Sequence, residues 1–559
     1  MRRLARRLST ALSLSVGVVS VLVLVLLGLA LALGFYVPLY MDEVATKMVG
    51  ARLFEEHGSI VTLLPQCTSS WVHEVPTTLY PGAALFTLFF GHLGLVGVKL
   101  SGILLALLSL SGVAWLASRR VAQTAERLAR VAGLCAISAL GVLPFVVIFS
   151  RNEQVMMLCL VGYCALPILA RKVGSGRPAL ALLAALFLVG SSVFFFSHPK
   201  TVFFLPLVLA SAVLSAPWRS SRLGAVLVPL VLLTAFQSHR FFSAMVRCDE
   251  APAVTQMFGD LALNPASLRT HPGSFFIEGS KNLIATPQRA WEGVLFAADN
   301  TGWVPLPRRR TLSPVVRDLN DLTRPVFLGI VWGVPVLLLL AYWRHRSAAR
   351  ESTVLGAALL LGIGANGFFY KTFPFYNCEL LMPALSLVAA LALAAHERPL
   401  LPRAPGKLAL LVLLALAGAN LLALLGQFGP ALLANAERVG PTVPDQPLAV
   451  PIFGYDAEKE KIRTLARACE IEGDGATHLV IDESTLFAFE HLRQPIDVLY
   501  ISDAVRWVGK AMAGEKVIQL LSRLQSPGMI ARCSLVPTAL RPRALGHGGY
   551  CCVGRSALQ

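Results

Sequence analysis

The chain has 559 residues, 55% hydrophobic and 14% charged, with a mean hydropathy of +0.65, which excludes a large soluble protein and defines an integral membrane one. Its 49 Lys and Arg against 32 Asp and Glu leave a formal net charge of +17. The arginines lie in short clusters between apolar runs, where the positive-inside rule puts them, and no tract interleaves basic and aromatic residues as a nucleic-acid site does.

The amino terminus opens on Arg2, Arg3, Arg6 and Arg7 and runs into an apolar stretch of roughly 25 residues, too long for a signal-peptide core of about 7 to 15. It is therefore expected to remain as a first span, with the amino terminus in the cytoplasm. Further spans are expected at Val98–Ala117, Val131–Phe149, Val155–Ala170, Ala179–Phe196, Val202–Ala216, Leu223–Phe236, Val326–Trp343, Val354–Tyr370, Leu380–Ala395 and Leu408–Leu425, each near the length that crosses a core roughly 30 Å thick. The segment Leu79–Leu95 is apolar but interrupted by Gly91, His92 and Gly94. If it does not cross, the clusters Arg119/Arg120/Arg127/Arg130, Arg171/Lys172/Arg177, Arg219/Arg222, Arg344/Arg346/Arg350 and Arg398/Arg403/Lys407 share a side with the amino-terminal arginines. That asymmetry selects an interfacial helix over Leu79–His92. The expected fold is thus a polytopic α-helical membrane protein of about 11 transmembrane helices, with interfacial helices in the first outer loop.

Residues 1–428 form the transmembrane domain, with large outer loops at 37–97 and 237–324, the second reading as mostly irregular because of its many prolines. Residues 429–559 read as a small α/β domain outside the membrane, with the carboxyl terminus on the outer side. Helices are expected at Ala457–Cys469, around Thr485–Leu492 and at Lys516–Leu524, and strands at His478–Asp482, Ile496–Ile501, Met529–Val536 and Tyr550–Val553. Seven of the ten cysteines fall on the outer side, where disulfides are permitted. Pairs within the tail are expected, and their connectivity is left open.

This topology brings Asp42 and Glu43, Arg151 and Glu153, His198 and Lys200, Gln237, His239 and Arg240, and Lys371, Tyr376 and Glu379 to one outer face. Each has a structural reading: adjacent acids suit the start of a helix expected over Glu43–Glu56, long cations snorkel to headgroups, and Glu153 with Arg151 or Lys371 with Glu379 form ion pairs. Together, though, acids and cations at a membrane boundary suit transfer from a lipid-linked phosphate. A carboxylate accepts the proton of an incoming hydroxyl or amine, and Lys, Arg, His and Tyr donors stabilise the departing phosphate.

At these residues the chain resembles the integral-membrane glycosyltransferases of the GT-C class, which includes protein O-mannosyltransferases, oligosaccharyltransferases and bacterial aminoarabinose transferases. The likeness covers roughly Val18 to Ala395. It rests on Asp42-Glu43 after the first span, the outer helix opened by Pro76 and Tyr80-Pro81, the loop acid Glu153, the turn His198-Pro199-Lys200 and the segment Lys371 to Pro383. The resemblance implies that Asp42 is the catalytic base, with Glu153 as the second catalytic acid. It departs where relatives carry Lys-Pro-Pro and this chain reads His73-Glu74-Val75-Pro76, and a WWD-type motif is absent from the outer domain.

The expected function is inverting transfer of a sugar from a polyprenyl-phosphate donor to a hydroxyl or amine on a lipid, glycan or protein. The expected place is the outer face of a bacterial inner membrane. Substrate-binding residues are expected at Glu43, His73, His198, Lys200, Arg240, Lys371 and Tyr376. No cofactor is indicated, although Asp42, Glu43 and Glu153 are of a type that holds a divalent metal. A polysaccharide ligase or polymerase using a diphosphate-linked donor, and a non-catalytic transporter or scaffold, remain as alternatives.

Overall fold

The computed structural model describes residues 2–44, 47–48, 59–61, 74–76, 81–172, 177–215, 223–245, 261–296, 313–344, 350–372, 375–394, 404–437, 449–450, 452, 455–473, 475–489, 492, 494–498, 501–504 and 515–558. Most of the expected helix Glu43–Glu56, and His73, lie outside them.

Helices dominate up to residue 437. In chain order they are α1 (Arg2–Leu33), α2 (Pro81–Phe90), α3 (Gly94–Ser118), α4 (Thr124–Ile137), α5 (Asn152–Lys172), α6 (Arg177–Ser197), α7 (Leu205–Leu214), α8 (Leu223–Met245), α9 (Pro272–Val294), α10 (Pro314–Arg344), α11 (Arg350–Phe369), α12 (Cys378–Ala394) and α13 (Ala404–Glu437). Among the described residues, six helical stretches are long and apolar enough to cross a membrane: Ala11–Tyr36, Ala84–Ser118, Asn152–Arg171, Pro314–Arg344, Arg350–Phe369 and Gly406–Pro430. Shorter apolar helices cover Ala184–Ser197, Pro199–Leu214 and Cys378–Ala394. Helix α12 is the hub, buried along nearly its whole length, whereas α6 presents Leu182, Leu186 and Val189 outward. Exposed aliphatic rows of that kind on a helical bundle are what lipid contact requires.

A 3-10 turn, Gly91–Leu93, separates α2 from α3, which opens on Gly94 at φ +57°. At 25 residues, α3 alone is long enough to span.

Two expectations for the helical part are corrected. The span expected over Val131–Phe149 is not one helix: α4 stops at Ile137, a helical turn covers Leu143–Val146, and irregular backbone leads to Arg151. Gly141 takes φ +56°, and a Cβ there would lie 2.1 Å from the Val294 carbonyl oxygen. Pro144 lies in the first positions of that helical turn, which begins a new helix rather than continuing the old one. Non-helical backbone at such depth survives only inside protein that satisfies its polar groups. Here Gly141 N donates to Asn420 Oδ1 at 3.1 Å and Val142 N to the Val294 carbonyl at 3.0 Å, and the segment is buried throughout. The segment 237–324, read as a mostly irregular outer loop, contains the 23-residue α9. Pro272 sits at its first turn, where no N–H is needed, and Phe275, Gly279, Asn282, Thr286 and Ala290 form its buried stripe.

The carboxyl-terminal region has a five-stranded sheet of order β6-β5-β7-β9-β8, from β5 (Thr477–Ile481), β6 (Gln494–Asp497), β7 (Gly528–Arg532), β8 (Leu545–His547) and β9 (Tyr550–Gly554). Strands β6, β5 and β7 run parallel, and β9 and β8 continue antiparallel. Helices α14 (Tyr455–Ala468) and α15 (Glu515–Arg523) complete it. Of the helix expected around Thr485–Leu492, the described residues show a 3-10 turn, Leu486–Ala488. Asp482 accepts hydrogen bonds from the backbone of Ser484, Thr485 and Arg532, which holds the chain in a tight turn after β5. Disulfides Cys469–Cys552 and Cys533–Cys551 tie the domain together.

This domain is fastened to the membrane part beside the first acids. Leu39 and Tyr40 (β1) pair antiparallel with Val450 and Ala449 (β4), and Ser59–Val61 (β2) pairs antiparallel with Glu74–Pro76 (β3). Leu39, Val44, Met48, Phe86 and Val98 share one apolar core with Val450, Ile462, Leu465 and Leu486.

Candidate active site

Four chain segments converge at one end of the bundle: the turn Met41–Val44 after β1, the irregular approach to α5, the 3-10 turn Pro199–Phe204 before α7, and the turn Phe375–Asn377 before α12. Each delivers a charged or hydrogen-bonding side chain.

Arg151 is the connector. Its Nη1 lies 3.0 Å from Asp42 Oδ2, and its Nε lies 3.3 Å from Glu153 Oε2. Its guanidinium carbon sits 3.8 Å from the centre of the Tyr376 ring, a cation–π contact that a planar guanidinium suits. Tyr40 lies 5.8 Å from the same ring and stacks on Phe149.

Glu153 is 1% exposed and surrounded by donors. Lys200 Nζ donates to its Oε1 at 3.1 Å and to Asn377 Oδ1 at 2.6 Å, and His198 Nε2 lies 3.4 Å from the same Oε1. The His198 tautomer follows from its other nitrogen: Nδ1 accepts from Lys200 N at 3.1 Å, so the proton is on Nε2 and faces Glu153. Burial pushes the His198 imidazole down to about 3, so it is neutral at physiological pH.

Asp42 differs from Glu153 in access. Its side chain is 28% exposed. Burial raises its carboxyl above the ordinary value, against the opposing pull of Arg151. A partly open carboxylate of raised basicity is the kind that accepts a proton near neutral pH. The Tyr376 phenol is pushed up to about 12, chiefly by burial, and stays a neutral hydrogen-bonding group.

Of the residues expected from sequence, Asp42, Glu153, His198, Lys200 and Tyr376 are brought together. Glu43 turns the other way. It is fully buried, accepts from Tyr40 N and Ser150 N at 2.8 Å each, and pairs with Lys99 at 3.7 Å, so its carboxylate is engaged with the protein itself. Arg240 lies on an exposed face of α8 over Phe236 of the same helix. Lys371 follows α11, its carbonyl accepting from Arg289 Nη1 at 2.7 Å.

Sequence reasoning missed two buried cations. Lys47 is 2% exposed and donates to Asn152 Oδ1 at 3.3 Å, and burial lowers it to about 8. Lys99 sits inside a stretch expected to be a plain span. A lone lysine in an apolar run is a signal in itself, since it demands a buried partner. Among the described residues no group of three or more His, Cys, Asp or Glu is placed to hold a metal ion.

No family model matches the chain, and no curated protein matches it. Among solved structures it is similar to the oligosaccharyltransferase of Archaeoglobus fulgidus. The crystal structure with Zn and sulfate gives a TM-score of 0.41 at 10% identity, covering 91% of this chain and 68% of that one. The apo form gives 0.40 at 12% identity, covering 92% and 70%. The complex of that archaeal enzyme with an inhibitory peptide and a dolichol-phosphate gives 0.38 at 12% identity, covering 92% and 69%.

Proposed function

We propose that the protein is a glycosyltransferase that moves a sugar from a polyprenyl-phosphate donor to a hydroxyl or amine acceptor at the outer face of a bacterial inner membrane. In this reading the chain crosses the membrane about 11 times, with its amino terminus inside and its sheet domain outside. The observation that carries the proposal is the asymmetry between two acids joined through Arg151. Asp42 is partly open and raised in basicity, whereas Glu153 is closed and held by Arg151, His198 and Lys200.

The acceptor O–H or N–H gives its proton to Asp42 as its oxygen or nitrogen attacks the anomeric carbon. The bond to the phosphate oxygen breaks on the opposite face, and the anomeric configuration inverts. Lys200, Arg151 and Tyr376 face the phosphate, whose growing charge their fixed donors stabilise. Glu153 is a positioning residue: it orients Arg151 and Lys200 and does not itself take the proton.

The test is incubation of purified protein in proteoliposomes with a panel of polyprenyl-phosphate sugars and candidate acceptors, reading polyprenyl phosphate released and the anomeric configuration of the product. Release with inversion is expected. Retention of configuration would contradict the single displacement.

A further inference from the structure

Glu379, in the first turn of α12, is 2% exposed, and neither carboxylate oxygen has a hydrogen-bond partner. It lines a small cavity of about 10 Å³ together with Ser109 of α3, Gln154 and Met157 of α5, and Pro383 of its own helix. That is room for roughly one water-sized particle. Ser109 Oγ and Gln154 Oε1 are likewise buried without partners. The orientation of Gln154 is fixed, because its Nε2 donates to the Gly102 carbonyl at 2.7 Å and the Val147 carbonyl at 2.9 Å. Turning the amide over would break both bonds, so Oε1 remains the unpartnered atom.

Three side chains from three helices thus aim unsatisfied oxygen atoms at one small space. A buried carboxylate without a partner is among the costliest arrangements in a folded protein. We propose that this cavity is a binding site for a single small monovalent cation, held by Glu379, Gln154 and Ser109. The chemistry of the set selects the charge. All donors are oxygen, which suits a hard cation, but they provide at most four atoms and one formal negative charge. A calcium ion takes 6 to 8 oxygens, and magnesium demands a near-octahedral shell. A sodium ion meets both the size and the single charge. The charged groups whose fields reach Glu379 are Glu153, Arg151, Glu43, Lys200 and Lys47. Asp42 and Glu153 are paired with Arg151 and Lys200, and Glu43 with Lys99. Among the described residues, Glu379 alone of these acids has no ion pair or hydrogen bond.

The experiment is a thermal melt of the full-length protein in nanodiscs, comparing sodium chloride with choline chloride at equal ionic strength across pH 6 to 8, for wild type, Glu379→Gln and Ser109→Ala. With sodium as occupant, the melting temperature rises saturably with sodium but not choline. Glu379→Gln abolishes the rise, and Ser109→Ala requires about tenfold more sodium, as loss of one oxygen ligand predicts. Equal melts in the two salts would overturn the proposal, even where the difference between wild type and Glu379→Gln changes with pH, because protonation of the carboxyl alone produces that change. The cavity would then hold a neutral water. Ser109→Ala keeps the carboxylate and removes a single hydroxyl, so the sodium titration remains readable if Glu379→Gln does not fold.

Discussion

Two corners of the polar interior begin at adjacent residues and end differently. At the Glu43 corner the carboxylate is fully enclosed, holds two backbone N–H groups, and meets Lys99 in a pair with no exposed surface. At the Asp42 corner the carboxylate meets Arg151 but keeps 28% of its side chain accessible, and the chain of contacts continues through Glu153 to Lys200, His198 and Asn377. The same acid chemistry serves two purposes, set by what surrounds it. A closed pair fixes where backbone segments sit; an open acid on a cationic network can meet a substrate. The Glu43 staple ties Tyr40 to Ser150 and so sets the separation across which Asp42 and Arg151 meet.

Substitutions can break that comparison in order of expected size. Asp42→Asn removes the proposed base with little change in shape, and transfer is expected to fall by about 10² to 10⁴-fold with an unchanged melting temperature. Lys99→Met does the reverse. It leaves Glu43 buried without its cation and is expected to cost about 3 to 5 kcal/mol of stability, measured by thermal or denaturant unfolding in detergent. Arg151→Lys keeps the charge but loses the planar fork that spans Asp42, Glu153 and the Tyr376 ring. Activity is expected to fall by about 10 to 100-fold, the equivalent of one charge-assisted hydrogen bond, with a smaller shift in melting temperature.

The smallest effect is a pH dependence. The His198 imidazole is held at about 3 in the folded protein against an ordinary 6.5, so the unfolded chain binds more protons between those values. Stability from this group is therefore lost as pH falls below 6.5, by about 2 kcal/mol on reaching pH 5. Melting temperatures of wild type should fall more steeply over that interval than those of His198→Asn.

Much of this interior was legible in the sequence because charge near a bilayer is expensive and therefore informative. Arginine clusters set the sides of the chain, and that alone placed Asp42, Glu153, His198, Lys200 and Tyr376 on one face before any contact was known. What was not legible depends on partners far along the chain. Val131–Phe149 has the hydropathy of a span, and only the meeting of Gly141 with Val294 and Asn420 explains why it breaks. The helix Pro272–Val294 was masked by its prolines, one of which occupies the first turn, where it does no harm. The pairing of Leu39 and Tyr40 with Val450 and Ala449 joins segments about 410 residues apart, a contact that no local periodicity encodes. Arg240 and Lys371 were grouped with the network by side of membrane, but a shared face does not set depth or direction.

The measurement that bears most directly on Asp42 as the base is release of polyprenyl phosphate by wild type and Asp42→Asn, side by side in proteoliposomes with the same donor and acceptor, folding verified by matching melts. Release by wild type that Asp42→Asn abolishes is the predicted result. Equal release by the two proteins would contradict it and remove Asp42 from the reaction.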